Sequence, residues 1–174
     1  MVVQATGRVV RDRRGLDLIV ERRVPAPASE VWKWLTAPTH LKKWIGTYKG
    51  APVVGGEISF TMSFEDGSAA SRVTVSECTP ESRFVLDWVA DDDPWHVAIS
   101  LADLGSSTVV FLAQRVSGPE QAGQVGPGWE YYLDRLFAAR AGSAMPEWDD
   151  YFPSQVPYYE RLATDGDPIA WTGR

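Results

Sequence analysis

The chain has 174 residues, 44% of them apolar and 23% charged; this is one domain's length with ordinary globular composition, which excludes a disordered polypeptide. Acidic residues outnumber basic ones 23 to 17, a formal charge of −6, so the surface repels phosphate backbones and anionic lipid heads unless basic groups are gathered in one patch. Cys78 is the sole cysteine, so no intrachain disulfide forms, and no apolar run reaches the roughly 18 residues of a membrane span.

The first 14 residues include Arg8, Arg11, Arg13 and Arg14 without interleaved aromatics, the pattern of a solvated, flexible arm. Leu16, Leu18, Val20 and Val24 then alternate with polar residues and predict a half-buried strand. Pro25 and Pro27 end it, and Pro27 suits the first turn of a short helix carrying Glu30, Val31, Trp34 and Leu35. Pro38 stops that helix and opens a second, to about Trp44, with Leu41, Trp44 and Ile45 at helical spacing.

From Tyr48 the pattern becomes strands separated by turn signals, the rhythm of an antiparallel meander. Ile58, Phe60, Met62 and Phe64 alternate up to a tight turn at Asp66-Gly67. Arg72 to Cys78 return, followed by Phe84, Leu86 and Trp88, a turn at Asp91 to Pro94, then Trp95, Val97, Ile99 and Leu101. Leu104 to Ser107 turn into Thr108 to Val116. One face of each strand is apolar, as in a sheet packed on one side. A Gly- and Pro-rich stretch, Gly118 to Gly128, is expected as a loop before the longest helix, Trp129 to Ala141, whose stripe is Trp129, Tyr132, Leu133, Leu136 and Phe137 and whose stop is Gly142.

Motifs for catalysis and metal binding are missing. Cys78, His40 and His96 are too few and too scattered for zinc, and the Asp91, Asp92, Asp93 run lacks the spacing of a calcium loop. The nucleophile elbow, the P-loop and the dinucleotide fingerprint do not occur. His96 is a candidate general base only if its strand face lines a pocket, and Asp87 and Glu57 a carboxylate pair only if their strands are adjacent.

The order strand, two short helices, antiparallel meander, long C-terminal helix is that of an α+β helix-grip fold, in which a curved antiparallel sheet wraps around the helix. The run from Arg23 through Thr36 with Pro38, Leu41 and Trp44 resembles the opening of the START-like SRPBCC superfamily. Within it, Gly55-Gly56, Cys78-Thr-Pro80 to Trp88, Ser107-Thr108 to Gly118, and Gly128 to Leu136 are similar to the pattern of proteins like the C-terminal domain of the activator of Hsp90 ATPase. The resemblance runs from about Leu16 to Ala141, inside a domain placed at residues 15–142. It implies a single-domain binder with a cavity for an apolar or amphipathic small molecule. Where many relatives have a His before the strand-ending Gly, this chain has Gln114, which hydrogen-bonds but does not exchange protons near neutral pH.

These readings converge on a non-enzymatic carrier of a small apolar molecule of lipid, polyketide or aromatic type. Its expected ligand-binding residues are Trp44, Phe60, Met62, Leu86, Trp88, Val97, Gln114, Trp129 and Leu133. Two outcomes stay open: indoles at Trp44, Trp88 and Trp129 frame a gap between sheet and helix, or they fill it. The rival functions are a polyketide cyclase or dehydratase, which needs an acid/base group inside the cavity, and a co-chaperone-like interaction module. A cytoplasmic location is expected, with no metal or cofactor, no nucleic acid and no stable membrane insertion. The aromatic-rich segment 143–174 is expected to pack on its own domain or, in a homodimer, on a partner subunit.

Overall fold

A computed structural model describes residues 2–65, 67, 69–89 and 94–165. Strands β1 (Arg8–Asp12), β2 (Gly15–Val24), β3 (Gly46–Lys49), β4 (Glu57–Met62), β5 (Ser71–Thr79), β6 (Arg83–Val89), β7 (Trp95–Asp103) and β8 (Thr108–Val116) form one eight-stranded sheet. Its order is β1-β2-β8-β7-β6-β5-β4-β3, antiparallel throughout. Helices α1 (Ala28–Thr36) and α2 (Pro38–Leu41) follow β2, and α3 (Pro119–Ala141) and α4 (Val156–Asp165) follow β8. The helix-grip α+β architecture expected from the sequence is the one observed.

Period-two alternation sets which face is buried. Leu18, Val73, Val97, Val110 and Leu112 point to the side covered by α3 and are almost fully buried, and the register keeps them in rows: Leu18 and Val97 both oppose Gln114, and Ile99 opposes Leu112. Strand β5 breaks the alternation. Its register against β6 shifts between Val75 and Glu77, a bulge, after which Cys78 opposes Phe84. The extra residue turns Glu77 outward and Cys78 inward, where strict alternation would do the reverse.

The N-terminal segment differs from the expected arm. Arg8–Asp12 is an edge strand on β2, with Arg8 opposite Ile19. The Asp12 carboxylate accepts the backbone N–H groups of Arg14 (2.7 Å) and Gly15 (3.1 Å), and Gly15 sits at φ 136°. That turn feeds the charged stretch into a hairpin, because an Asx-type turn and a left-handed glycine reverse the chain regardless of its charge. Expected turns at Asp66-Gly67 and Asp91 to Pro94 involve positions 66 and 91–93, which lie outside the described residues.

Helix α3 corrects a second expectation: it begins at Pro119, not Trp129, so most of the stretch expected as a loop is helical, with Pro127 inside. Pro119 loses nothing at the first turn, where N–H groups have no intrahelical partner. The glycines are explained by packing on α4. A methyl at Gly126 would run into the buried ring of Tyr159, and one at Gly123 would lie 3.0 Å from Val156 Cγ1. Intrinsic propensity opposes this helix, and tertiary contact with α4 overrides it. The stop falls where expected, at Gly142, with φ 66°.

Candidate functional site

The sheet and α3 part company at one end, leaving a chamber of about 410 Å³. The strand wall carries Ile58, Phe60, Phe84, Leu86, Trp88, Val97 and Ile99; α3 contributes Trp129; and the segment from Trp32 to Pro52 supplies the rest of the enclosure, including Trp44. Pro38 forces this opposite wall. Its ring keeps Ala37 extended (ψ 129°), so the chain turns between α1 and α2 instead of continuing as one helix. The Trp44 indole N–H donates to the Trp34 carbonyl (2.9 Å), fixing the turn after α2 to α1. The Tyr48 hydroxyl donates to the Thr36 carbonyl at 3.4 Å, joining β3 to the end of α1 at the rim.

Six of the nine residues expected to bind ligand line this chamber: Trp44, Phe60, Leu86, Trp88, Val97 and Trp129. The other three sit elsewhere. Met62 lines a second chamber of about 630 Å³ bounded by Glu65, Trp95, Tyr131, Tyr132 and Trp148, with Trp129 as the wall common to both. Leu133 is fully buried between helix and sheet and lines neither, because its turn of α3 packs directly on the strands. Gln114 is also fully buried, behind Trp129. The Trp129 indole N–H donates to Gln114 Oε1 at 2.7 Å. An indole only donates, so this contact fixes the amide orientation. Gln114 Nε2 has no hydrogen-bond partner among the described residues. Gln114 therefore acts as the anchor of a chamber wall.

No charged side chain is among the residues lining the smaller chamber, and its titratable members are Tyr48 and Cys78. Burial raises the Tyr48 hydroxyl above its ordinary value, so it is neutral near pH 7. The acid/base candidates face the other way. Asp87 opposes His96 on the outer face of the sheet, with His96 Nδ1 2.6 Å from Asp87 Oδ1 and both side chains well exposed. Glu57, half exposed, lies 3.6 Å from Arg72. None of the three faces either chamber, because each occupies the strand register opposite the apolar row; His96 instead lines a charged groove of about 360 Å³ on the outer face, with Asp17, Arg83 and Arg115.

A buried polar cluster lies on the far side of α3, and the sequence reading did not single it out. Glu130 is fully buried and accepts the backbone N–H groups of Thr6 (2.6 Å) and Gly7 (2.8 Å), the Tyr159 hydroxyl (2.5 Å) and the Arg22 guanidinium. Burial alone would raise this carboxyl, but the Tyr159 hydroxyl, Arg22 and the Thr6 amide outweigh it and hold the group below its ordinary range. Arg22 also donates to Asp134 at 2.8 Å, and Asp134 accepts the Tyr151 hydroxyl at 2.7 Å. The cluster ties both flanks of the chain to α3. A Glu one position after a core Trp on a helix was the available signal, and it reads equally well as a favourable charge near a helix start.

A curved antiparallel sheet around a long helix, with an apolar chamber between them, defines a helix-grip protein. Residues 25–140 match the family described as activator of Hsp90 ATPase homolog 1-like protein, and the chain belongs to that family. No curated protein matches it. Among solved structures it is similar to CalU16 from Micromonospora echinospora, with a TM-score of 0.73 and 23% identity over 92% of this chain and 97% of that one. The protein encoded by gene BPP1335 from Bordetella parapertussis gives 0.67 and 18%, covering 93% and 94%. DynU16, of the dynemicin biosynthetic locus, gives 0.65 and 22%, covering 75% of this chain and 49% of its own. At these identities the likeness is one of fold. Among the described residues no helix is long and apolar enough to cross a membrane, and no group of three or more His, Cys, Asp or Glu is placed to hold a metal ion.

Proposed function

We propose that this protein is a non-enzymatic carrier that holds a small apolar or amphipathic molecule in the chamber of about 410 Å³ between sheet and α3. The observation that carries the reading is the composition of that wall: aromatic and aliphatic apart from Thr36 and Cys78, with no charged group, in a chain that is 23% charged overall. A space of this size exceeds what packed interiors leave by accident. A guest burying about 300 Å² of apolar area gains on the order of 7 kcal/mol at about 25 cal/mol per Å². Association costs of several kcal/mol leave micromolar or weaker binding. The outward placement of His96, Asp87 and Glu57 argues against acid/base catalysis in this space.

The test combines mass spectrometry of small molecules that copurify with the protein and titration of its tryptophan fluorescence. The panel covers fatty acyl, polyketide and polycyclic aromatic compounds; dynemicin-type molecules join it because DynU16 comes from that locus. Saturable quenching or a spectral shift at micromolar ligand is expected, since Trp32, Trp44, Trp88 and Trp129 all line the chamber. No response across the panel, together with no copurified molecule, would overturn the carrier reading.

A further inference from the structure

The charge of −6 hides a strong segregation. All four lysines of the chain, Lys33, Lys42, Lys43 and Lys49, fall between Glu30 and Glu57, and that interval contains no Asp or Glu. It is the same segment that encloses the chamber opposite the strands. All four lysines are exposed. None forms an ion pair among the described residues, whereas Arg8, Arg22, Arg72, Arg83, Arg115 and Arg140 all do. The flanking carboxylates are engaged elsewhere, Glu30 with Arg140 at 2.9 Å and Glu57 with Arg72 at 3.6 Å. Lys43 Nζ lies 5.3 Å from the Trp34 ring centroid, a contact that leaves its charge uncompensated.

Beside the lysines the segment presents apolar surface outward. Pro38 and Pro52 are exposed members of the chamber wall, which places the mouth between the start of α2 and the loop from Gly50 to Gly56. That loop carries no charge, and its Val53 and Val54 are each 59% exposed. Backbone hydrogen bonds from Gly55 to Val75 and from Val75 to Gly56 hold it against β5 (2.8 and 3.0 Å), so the valines are presented on a fixed turn.

We propose that this face, α1 to α2 with the Gly50–Gly56 loop, docks reversibly on an anionic phospholipid bilayer and opens the chamber to its acyl region. Unpaired lysines match lipid phosphates, and a protruding pair of valines matches the interface just beneath them. Duplex nucleic acid satisfies the first requirement but gives the valines and Pro52 nothing to enter. Docking in this orientation lets an apolar molecule pass between bilayer and chamber without crossing water. It is separable from the carrier reading, because adsorption does not require an occupied chamber.

The test is vesicle flotation of the full chain with phosphatidylcholine alone and with phosphatidylcholine plus phosphatidylglycerol. Binding is expected on the anionic vesicles only and is expected to weaken as salt rises. K42E/K43E should weaken it by at least about tenfold, given roughly a fivefold contribution per lysine at an anionic surface. V53D/V54D should weaken it by about tenfold through loss of the apolar contact. Both pairs are exposed, so melting temperature and ligand response without vesicles should match wild type, which shows that the fold is intact. Equal binding to neutral vesicles, or full binding by K42E/K43E, would overturn the proposal. Loss in the lysine variant but not the valine variant would overturn the loop's entry, and duplex DNA binding without vesicle binding would overturn the choice of partner. Failure to float, with ligand still bound in solution, counts against docking alone.

Discussion

Replacing Leu86 by Trp distinguishes an empty chamber from a filled one and a liganded chamber from an idle one. Leu86 projects from β6 in a row with Val75 and Val97 and lines the chamber directly. In a packed interior, adding that much side chain costs about 1 to 3 kcal/mol, through strained rotamers and shifted backbone. Facing about 410 Å³ of open space, the indole has room, and the expected cost is below about 0.5 kcal/mol. The same indole takes area from the guest. If it removes about 100 Å² of the roughly 300 Å² buried, the loss is about 2.5 kcal/mol at 25 cal/mol per Å². That corresponds to roughly 60-fold weaker binding. Urea denaturation reads the first quantity, and calorimetric or fluorescence titration with the best ligand of the panel reads the second. A stability loss of about 1 kcal/mol or more would show that side chains already occupy the space. Unchanged affinity would show that the guest sits elsewhere, the larger chamber beyond Trp129 being the alternative.

Removing the carboxylate that anchors both flanks, by Glu130→Ala, is expected to cost about 3 kcal/mol in urea denaturation, because Arg22 and two backbone N–H groups lose their acceptor; a loss below about 1 kcal/mol would contradict the anchoring role. Its pH dependence has a definite sign. The folded-state carboxyl lies below its usual 4.5, so its contribution is complete above that value and is lost as pH falls through the folded-state pKa. Wild type should therefore lose stability more steeply than Glu130→Gln in acid. In the α3 glycines, Gly126→Ala should lower stability by about 1 to 3 kcal/mol through collision with Tyr159, and pairing it with Tyr159→Ala should remove most of that penalty in a double-mutant cycle. Gly128→Ala meets nothing within 4 Å and should stabilise by up to about 1 kcal/mol, so thermal melts of the two single variants should move in opposite directions.

The spacing of Ile58 and Phe60, of Phe84, Leu86 and Trp88, and of Val97 and Ile99 assigned both the strands and their inward face, and it brought four expected residues, Phe60, Leu86, Trp88 and Val97, to one chamber, while helical spacing supplied Trp44 and Trp129. Alternation is a local property that a sheet preserves. The errors arise where a distant contact decides. Gly118 to Gly128 reads as a loop by propensity, and it is Tyr159 against Gly126, and Val156 and Glu160 against Gly123, all more than 30 positions later, that explain why glycine is wanted in that helix. Gln114 was expected at the ligand because of its place in the family pattern; its partner is instead Trp129. Met62 continues the apolar row of β4 but lies past the point where Trp129 divides the space. Cys78 reached the wall through a bulge that period-two reasoning does not foresee. The lysine segregation was present in the sequence, but a whole-chain charge balance averages it away.

Thr6 and Gly7 at one end of the chain and Tyr159 at the other share a single acceptor on α3, and both lie outside the stretch 25–140 that carries the family pattern. The two additions therefore behave as one clasp: shortening either end unfastens the other. A protease nick, a fusion partner or an evolutionary deletion near residue 6 should be felt some 150 positions away, at α4, and a shortened form keeping only the family stretch would leave the back of α3 bare.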